Sequence, residues 1–223
     1  MGFRGALGDL LPPAVGVALS PVPIIAVVVM LMAPAARTAP VFALGWLFGL
    51  LAATAIIVIV ADPAGADTDS GTTWTAVVKI SLGVLFLLMA AKQWRSRPRD
   101  GAEPQMPGWM AAVDRMAPAK AFGLGALLSG LNPKNLALAV AAALAIAQAG
   151  LTTGGGIAAV LIFVILGSLT VAGPVLAALL FRDRVRPSLL AAKDWLIANN
   201  ATVMFVVLLI LGTVMLGKGI ARL

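Results

Sequence analysis

The chain has 223 residues, of which 61% are hydrophobic and 11% are charged. A soluble globular domain has about 45–50% apolar and about 25% charged residues, so the composition predicts an integral membrane protein. The formal net charge is +7, but no stretch is long enough to form a soluble module that would carry those charges to a nucleic acid. Cysteine and histidine are absent, which excludes disulfides, thiolate metal sites and the usual near-neutral proton carrier.

Six stretches are long and apolar enough to cross a bilayer, which takes about 20 mostly apolar residues. These stretches are residues 10–32, 40–61, 74–94, 121–148, 156–181 and 201–220. The connectors between them are residues 33–39, 62–73, 95–120, 149–155 and 182–200. The sequence therefore predicts an all-α polytopic membrane protein that forms one six-helix transmembrane domain over residues 1–223.

Lysine and arginine residues are concentrated on one side of the predicted membrane. Eleven of them lie on the side of connectors 33–39, 95–120 and 182–200, against three on the other side. Short loops that are rich in these residues stay in the cytoplasm. We therefore expect a multi-pass plasma-membrane protein whose two termini are both extracytoplasmic.

Six spans with both ends on one side divide into two halves of opposite orientation, as in inverted-repeat transporters. The first repeat covers about residues 10–94, the cytoplasmic loop about 95–120 and the second repeat about 121–221. The pair Leu82-Gly83 in the third span matches Leu211-Gly212 in the sixth. Closely spaced glycines, such as Gly45-x-x-x-Gly49 in span two and the pair Gly167 and Gly173 in span five, would also permit close helix contacts.

Two polar, proline-containing segments interrupt the first and fourth spans near mid-depth. Pro21 should free the carbonyl of Val17, and Pro133 that of Ser129, because proline has no N–H. Lipid offers no water to a broken backbone, so such segments are tolerated only where protein or a water-filled cavity covers them. We expect the two broken helices to meet at a transport site. The alternative is that the prolines merely kink packed helices whose backbone is satisfied by nearby Ser and Asn side chains.

Lys134 is the charged residue of the second segment. A lysine near the bilayer centre costs about 2.5–3.5 kcal/mol on insertion scales, and no Asp or Glu lies within a span except at the margins. A positive charge with hydroxyl and amide groups around it suits an anionic or hydroxyl-rich ligand. The predicted substrate-binding residues are Ser20, Pro21, Pro23, Ser129, Asn132, Pro133, Lys134 and Asn135.

Secondary candidates lie outside the two segments, and they are Arg37, Lys79, Gly173 and Pro174. Lys79 is close enough to the end of its span to snorkel to the interface, and Gly173-Pro174 is expected to break span five. The sequence has no nucleophile–base pair, no paired carboxylates and no set of metal ligands. We therefore predict neither an enzyme nor a protein that needs a metal or a cofactor.

Several stretches, taken as a set, resemble one family, and they are residues 19–28, 34–37, 44–46, 107–110 and 128–136. They look like the actinobacterial GAP family of peptidoglycolipid- and sulfolipid-addressing proteins, within the lysine-exporter (LysE) superfamily. The resemblance implies a six-span inverted-repeat fold. It also implies a role in moving complex cell-envelope lipids across the plasma membrane, beside lipid-synthesis machinery.

The expected function is that of a transporter or flippase that moves an anionic or glycosylated envelope lipid, or its precursor, by alternating access. The expected partners are the lipid, the membrane and lipid-synthesis or other envelope proteins; a homo-oligomer is compatible with the sequence, and a nucleic acid is not expected. Two alternatives stay open. One is a LysE-type exporter of a small solute such as an amino acid or a drug, and the other is a membrane scaffold for lipid-synthesis machinery.

Overall fold

A computed structural model describes residues 2–33, 37–61, 70–97, 113 and 116–221 of the chain. The side chains of residues 61, 70–72, 182 and 183 are not described. Most of connectors 62–73 and 95–120, and the stretches 34–36 and 107–110 of the family resemblance, lie outside the described residues.

The described chain is helical, and its helices are α1 (Phe3–Ala18), α2 (Pro21–Met32), α3 (Thr38–Ala61), α4 (Ser70–Arg95), α5 (Pro118–Gly130), α6 (Pro133–Gln148), α7 (Thr153–Phe181) and α8 (Arg184–Ile220). The helices α3, α4, α7 and α8 are each long and apolar enough to cross a membrane. The other four form two bent pairs, α1–α2 with a bend of 54° and α5–α6 with a bend of 57°. With each pair counted as one broken span, the fold is the predicted polytopic arrangement, and its broken spans are the first and the fourth.

The connector predicted at residues 182–200 is wrong, because almost all of it is the first half of α8, which begins at Arg184. Leu189, Leu196 and Ile197 pack against the core. Their spacing of seven and eight residues places them on one face of a helix. Hydropathy alone misses this segment because its other face carries charged and exposed residues.

The break predicted at Gly173-Pro174 is also wrong. Helix α7 continues through both residues, and the kink lies at Phe181, whose φ of −136° and ψ of 39° are not helical. The prediction that Gly173 permits a close helix contact fails as well, because a β-carbon added there would meet no atom within 4 Å. A proline inside a membrane helix is tolerated when neighbouring groups satisfy the freed carbonyl.

Helix α6 is the central helix of the molecule. It packs against α1 and α3, and residues on most of its circumference are buried. A helix that is buried on most sides is typical of a protein interior. Its many alanines allow the neighbouring helices to approach closely, and the buried ones are Ala137, Ala139, Ala141, Ala142, Ala143 and Ala145.

Helices α3 and α5 meet along a seam of glycines. A β-carbon added at Gly45 would overlap the carbonyl oxygen of Phe122, and one added at Gly125 would overlap that of Phe42. At Gly130 it would lie 2.8 Å from the carbonyl oxygen of Gly49. The two backbones therefore touch directly, as small residues allow in membrane helices, and the contact predicted from Gly45-x-x-x-Gly49 is confirmed.

A second glycine contact joins α4 to α8. A β-carbon added at Gly83 would lie 2.7 Å from Cγ of Leu216 and 3.0 Å from the carbonyl oxygen of Gly212. One added at Gly212 would lie 2.8 Å from Cγ of Leu87 and 3.1 Å from the carbonyl oxygen of Gly83. Gly83 thus faces Gly212 and Leu216, and Gly212 faces Gly83 and Leu87. This reciprocal contact involves the glycine pair that the sequence matched between the two halves.

We predict that Gly45→Ala destabilises the protein by about 1–3 kcal/mol, because overpacking a close contact forces backbone shifts. The measurement is the thermal unfolding midpoint of the full chain in detergent. Gly173→Ala is the matched control, since its added methyl group meets open space and alanine is the better helix former by about 0.5–1 kcal/mol. Equal midpoints for the two variants would contradict a backbone contact between α3 and α5.

Candidate functional site

The first break separates α1 from α2 at Ser20. Pro21 is the first residue of α2, and Ser20 before it is extended, with φ −101° and ψ 101°. Proline disfavours a helical conformation in the residue that precedes it, and its missing N–H leaves the carbonyl of Val17 without a helical donor. The hydroxyl of Ser20 donates to that carbonyl at 2.8 Å, so the prediction of a freed Val17 carbonyl is confirmed.

Side chains satisfy three consecutive carbonyls at the end of α1. The carbonyl of Gly16 accepts from Nζ of Lys134 at 2.7 Å, and that of Val17 accepts from Ser20. The carbonyl of Ala18 accepts from Oγ1 of Thr170 at 2.5 Å. The last carbonyls of a helix have no partner inside the helix, so this end of α1 is held by α6 and α7.

The second break separates α5 from α6, and polar side chains close it in the same way. Asn132 is the N-cap of α6, and its Oδ1 accepts from the backbone N–H of Lys134 at 3.0 Å. Nδ2 of Asn135 donates to the carbonyls of Leu128 and Ser129 at 3.3 Å each. Pro133 has no N–H, so the carbonyl of Ser129 has no helical donor, and Asn135 supplies one. Asn135 therefore stabilises the break itself. This agrees with the alternative that the prolines kink packed helices whose freed carbonyls are bonded by nearby side chains.

Lys134 joins the two breaks. Its side chain is 3% exposed, and its ammonium donates to the carbonyl of Gly16 and, at 2.5 Å, to Oγ of Ser20. The C-terminal end of α1 is the negative end of its dipole, which favours a nearby cation. These two bonds use two of the three N–H groups of a lysine. The prediction that the two broken helices meet is therefore confirmed.

A cavity of about 320 Å³ lies beside this junction. It is lined by Ser20, Pro21, Val22, Pro23, Met89, Lys92, Gln93, Asn132, Lys134, Asn200, Met204 and Leu208. Five of the eight predicted substrate-binding residues are in that set. The other three, Ser129, Pro133 and Asn135, do not line it, and two of them act in the hydrogen bonds of the second break.

The secondary candidates do not line this cavity in the described structure. Arg37 is exposed just before α3. Lys79 is buried in α4, and its Nζ donates to Oε1 of Gln148, the last residue of α6, at 3.1 Å. Gly173 and Pro174 lie within α7. The structure thus places the four candidates apart from the junction of the breaks.

Three polar residues of the cavity were not predicted, namely Lys92, Gln93 and Asn200. Lys92, near the end of predicted span 74–94, was one of the eleven charges counted on the cytoplasmic side, and Asn200 was placed in connector 182–200. Their depth in the membrane would have indicated them. Helices α4 and α8 contact each other at the matched glycines Gly83 and Gly212. Counted along the helices from that contact, Lys92, Gln93 and Asn200 all lie toward the same end of the molecule.

We predict that Thr170→Val lowers the free energy of unfolding by about 1 kcal/mol, because the partly buried carbonyl of Ala18 loses its donor. Thermal unfolding of the full chain in detergent measures this loss. Thr54→Val is the matched control, since the buried hydroxyl of Thr54 donates to the carbonyl of Leu50 within α3, which is an unbroken helix. If both variants unfold at the wild-type temperature, Thr170 does not hold the end of α1.

A comparison with known families gives one match. A family model described as "Sap, sulfolipid-1-addressing protein" matches residues 10–221. No curated protein and no solved structure matches the chain. The family match includes both helix breaks and nearly the whole chain, and it confirms the resemblance to the GAP family. The chain therefore belongs to the family of the sulfolipid-1-addressing protein.

Proposed function

We propose that the protein moves a lipid with an anionic or glycosylated head group across the plasma membrane, with the head group in the cavity beside the two breaks. The observation that carries the proposal is Lys134, a buried lysine that joins the breaks and also lines the cavity. Two of its three N–H groups are used within the described part of the chain, which leaves the third for an acceptor on the ligand. The family description, which names a sulfolipid, supports a lipid as the substrate.

The size of the cavity supports a lipid whose acyl chains stay in the bilayer. Its volume of about 320 Å³ is near the lower end of the range for ligand cavities, which is about 300 Å³. A head group fits in this space, whereas the acyl chains of a membrane lipid do not.

The charge of the cavity supports an anion rather than a cation. Its described lining includes Lys92 and Lys134 and no acidic residue. A cationic solute would need a carboxylate to replace its water shell, as buried charges are paired. The lysines thus favour an anionic head group over the cationic amino acids that a LysE-type exporter would carry.

A second cavity favours a lipid over a small solute. It has a volume of about 460 Å³ and lies at the other end of α6, among residues such as Ile146 and Ile157. Its lining includes Ile59, which is 71% exposed, and residues of the connector between α6 and α7. An apolar surface in that position suits acyl chains, as the first cavity suits a head group.

Polar contacts cross the molecule on the side away from the first cavity. Lys218 of α8 pairs with Asp9 of α1 at 2.6 Å, and Lys79 of α4 donates to Gln148 at the end of α6. The cavity reaches the surface at Lys92, which is exposed at the opposite end of α4. We assign this arrangement to a state in which the first cavity is open to the cytoplasm. In this proposal the fold is LysE-like, and its two inverted repeats give the cavity alternating access to the two sides of the membrane.

We predict that Lys134→Met reduces the translocation of a fluorescent sulfated galactosylceramide at least tenfold. The substitution removes the positive charge from the cavity and the donor from the carbonyl of Gly16. The assay reconstitutes the full chain in liposomes and measures the lipid that a membrane-impermeant reductant can reach over time. Unfolding midpoints of both proteins show whether Lys134→Met remains folded.

Lys120→Met is the control, because it removes an exposed positive charge at the start of α5, away from the cavity. Translocation at the wild-type rate in a folded Lys134→Met variant would refute the assignment of Lys134. If wild-type protein moves no labelled lipid but moves a labelled amino acid, the solute exporter is correct. If it moves neither, the scaffold alternative is favoured over transport.

A further inference from the structure

The second cavity is a slot between α3 and α7. The two helices are in contact where a β-carbon added at Gly167 would lie 3.3 Å from Cδ2 of Leu50. The lining of the slot begins at the next residue of α3, Leu51, and it includes residues of the connector between α6 and α7. The helix contact therefore closes one end of the slot, and the connector bounds the other end.

The length of the slot suits one acyl chain. Its lining extends from Leu51 to Ile59 on α3 and from Thr153 to Leu161 on α7. Each of these distances is about 12 Å, because a helix rises by about 1.5 Å per residue. The hydrocarbon core of a bilayer is about 30 Å thick, so the chains of one leaflet extend over about 15 Å. The slot can therefore hold most of one chain that lies along the two helices.

One side of the slot is open to the bilayer. Ile157 and Leu161 line the slot and are exposed, and Ile165 and Leu169, at the same spacing further along α7, are exposed as well. Residues four apart lie on one face of a helix, and α7 is one of the helices that are long and apolar enough to cross a membrane. This apolar face therefore faces lipid, and a chain of the surrounding bilayer can enter the slot past Ile157 and Leu161.

The lining of the slot is polar at the connector and aliphatic elsewhere. Thr152 and Thr153 are exposed at the connector end, and every other side chain of the lining is aliphatic. This order of groups matches a lipid whose polar end lies at the membrane surface while its chain extends toward the centre. The described lining contains no charged residue, so the slot can select a lipid by its chain and not by its charge.

We infer that the slot binds one acyl chain of a phospholipid of the surrounding bilayer, with the phospholipid head group at the connector between α6 and α7. The inference goes beyond the proposed function, since it concerns a second lipid that stays in its leaflet. It holds whichever ligand the first cavity takes. Because no charge lines the slot, phosphatidylcholine and phosphatidylglycerol are expected to bind equally well.

Two glycines in the first turn of α7 provide a test and its matched control. Gly156 lines the slot, and a β-carbon added there would have Cγ2 of Ile146, at 3.9 Å, as its nearest neighbour. Gly156→Leu therefore adds a side chain in the volume proposed for the acyl chain, without a clash at the β-carbon. Gly154 does not line the slot, and a β-carbon added there would meet no atom within 4 Å. Gly154→Leu is thus the same substitution outside the slot.

The experiment places the full chain in phosphatidylcholine nanodiscs that contain a small fraction of phosphatidylcholine with a photoactivatable diazirine at the end of one acyl chain. After irradiation, mass spectrometry locates the labelled residues. Wild-type protein is expected to be labelled more at Leu51 and Ala55, in the slot, than at Leu169 on the lipid-facing surface. Gly156→Leu is expected to lower the labelling of the slot severalfold and to leave Leu169 unchanged, whereas Gly154→Leu changes neither. A phosphatidylglycerol probe with the same chain is expected to give the same result.

Other occupants of the slot are distinguished with single cysteines, because the chain has none of its own. In the same nanodiscs, a membrane-impermeant maleimide is expected to react readily with Gly154→Cys and much more slowly with Gly156→Cys, which a lipid chain would cover. Equal reaction rates would show a slot filled with water and refute the site. Disulfide-linked dimers of Gly156→Cys would identify a second copy of the chain as the occupant, which also refutes it.

The site is refuted as well if slot residues are labelled no more than Leu169, or if Gly156→Leu and Gly154→Leu have the same effect. Labelling that depends on the charge of the probe lipid would overturn selection by the chain. None of these measurements requires translocation or a lipid in the first cavity. The slot and the proposed function can therefore fail independently of each other.

Discussion

The ammonium of Lys134 and the carbonyl end of α1 depend on each other. A charged lysine at this depth costs about 2.5–3.5 kcal/mol on insertion scales, and an unsatisfied buried carbonyl costs about 1–3 kcal/mol. The hydrogen bond from Lys134 to Gly16 removes part of both costs at once. The rest of the site is arranged around this bond, because it fixes the start of α6 against the end of α1.

Gly16 has a second role in this arrangement, since its missing side chain brings α1 close to its neighbours. A β-carbon added there would lie 2.6 Å from Cδ1 of Leu211 and 3.0 Å from Cδ1 of Leu138. An alanine at this position would require the side chains of Leu211 and Leu138 to turn away. The position therefore supplies the acceptor for Lys134 and also lets these two leucines pack directly against α1.

The two breaks were predictable because polar residues and prolines stand out in an apolar sequence. The contact between them was also predictable, since lipid cannot satisfy an open backbone. Which way each polar side chain points was not predictable, because that depends on helix packing. Asn135 and Lys134 are neighbours in the sequence, yet Asn135 closes the backbone of α5 while Lys134 crosses to α1.

The boundaries of α8 were missed for a related reason. Hydropathy finds the apolar part of a helix and not its amphipathic extension, so residues 184–200 were read as a connector. The same misreading hid Asn200, which lies one turn before Met204 in the cavity wall. A connector residue would have no fixed level in the membrane, whereas a helical residue has one.

The glycine seam between α3 and α5 also limits how these helices can move. A slide of α3 by one turn in either direction would bring Val41 or Ala53 to a place that Gly45 or Gly49 now fills. Either side chain would then stand against backbone atoms of α5 that leave no space for a β-carbon. The two helices therefore have a single register, and a slide of α3 along α5 by a whole turn is excluded.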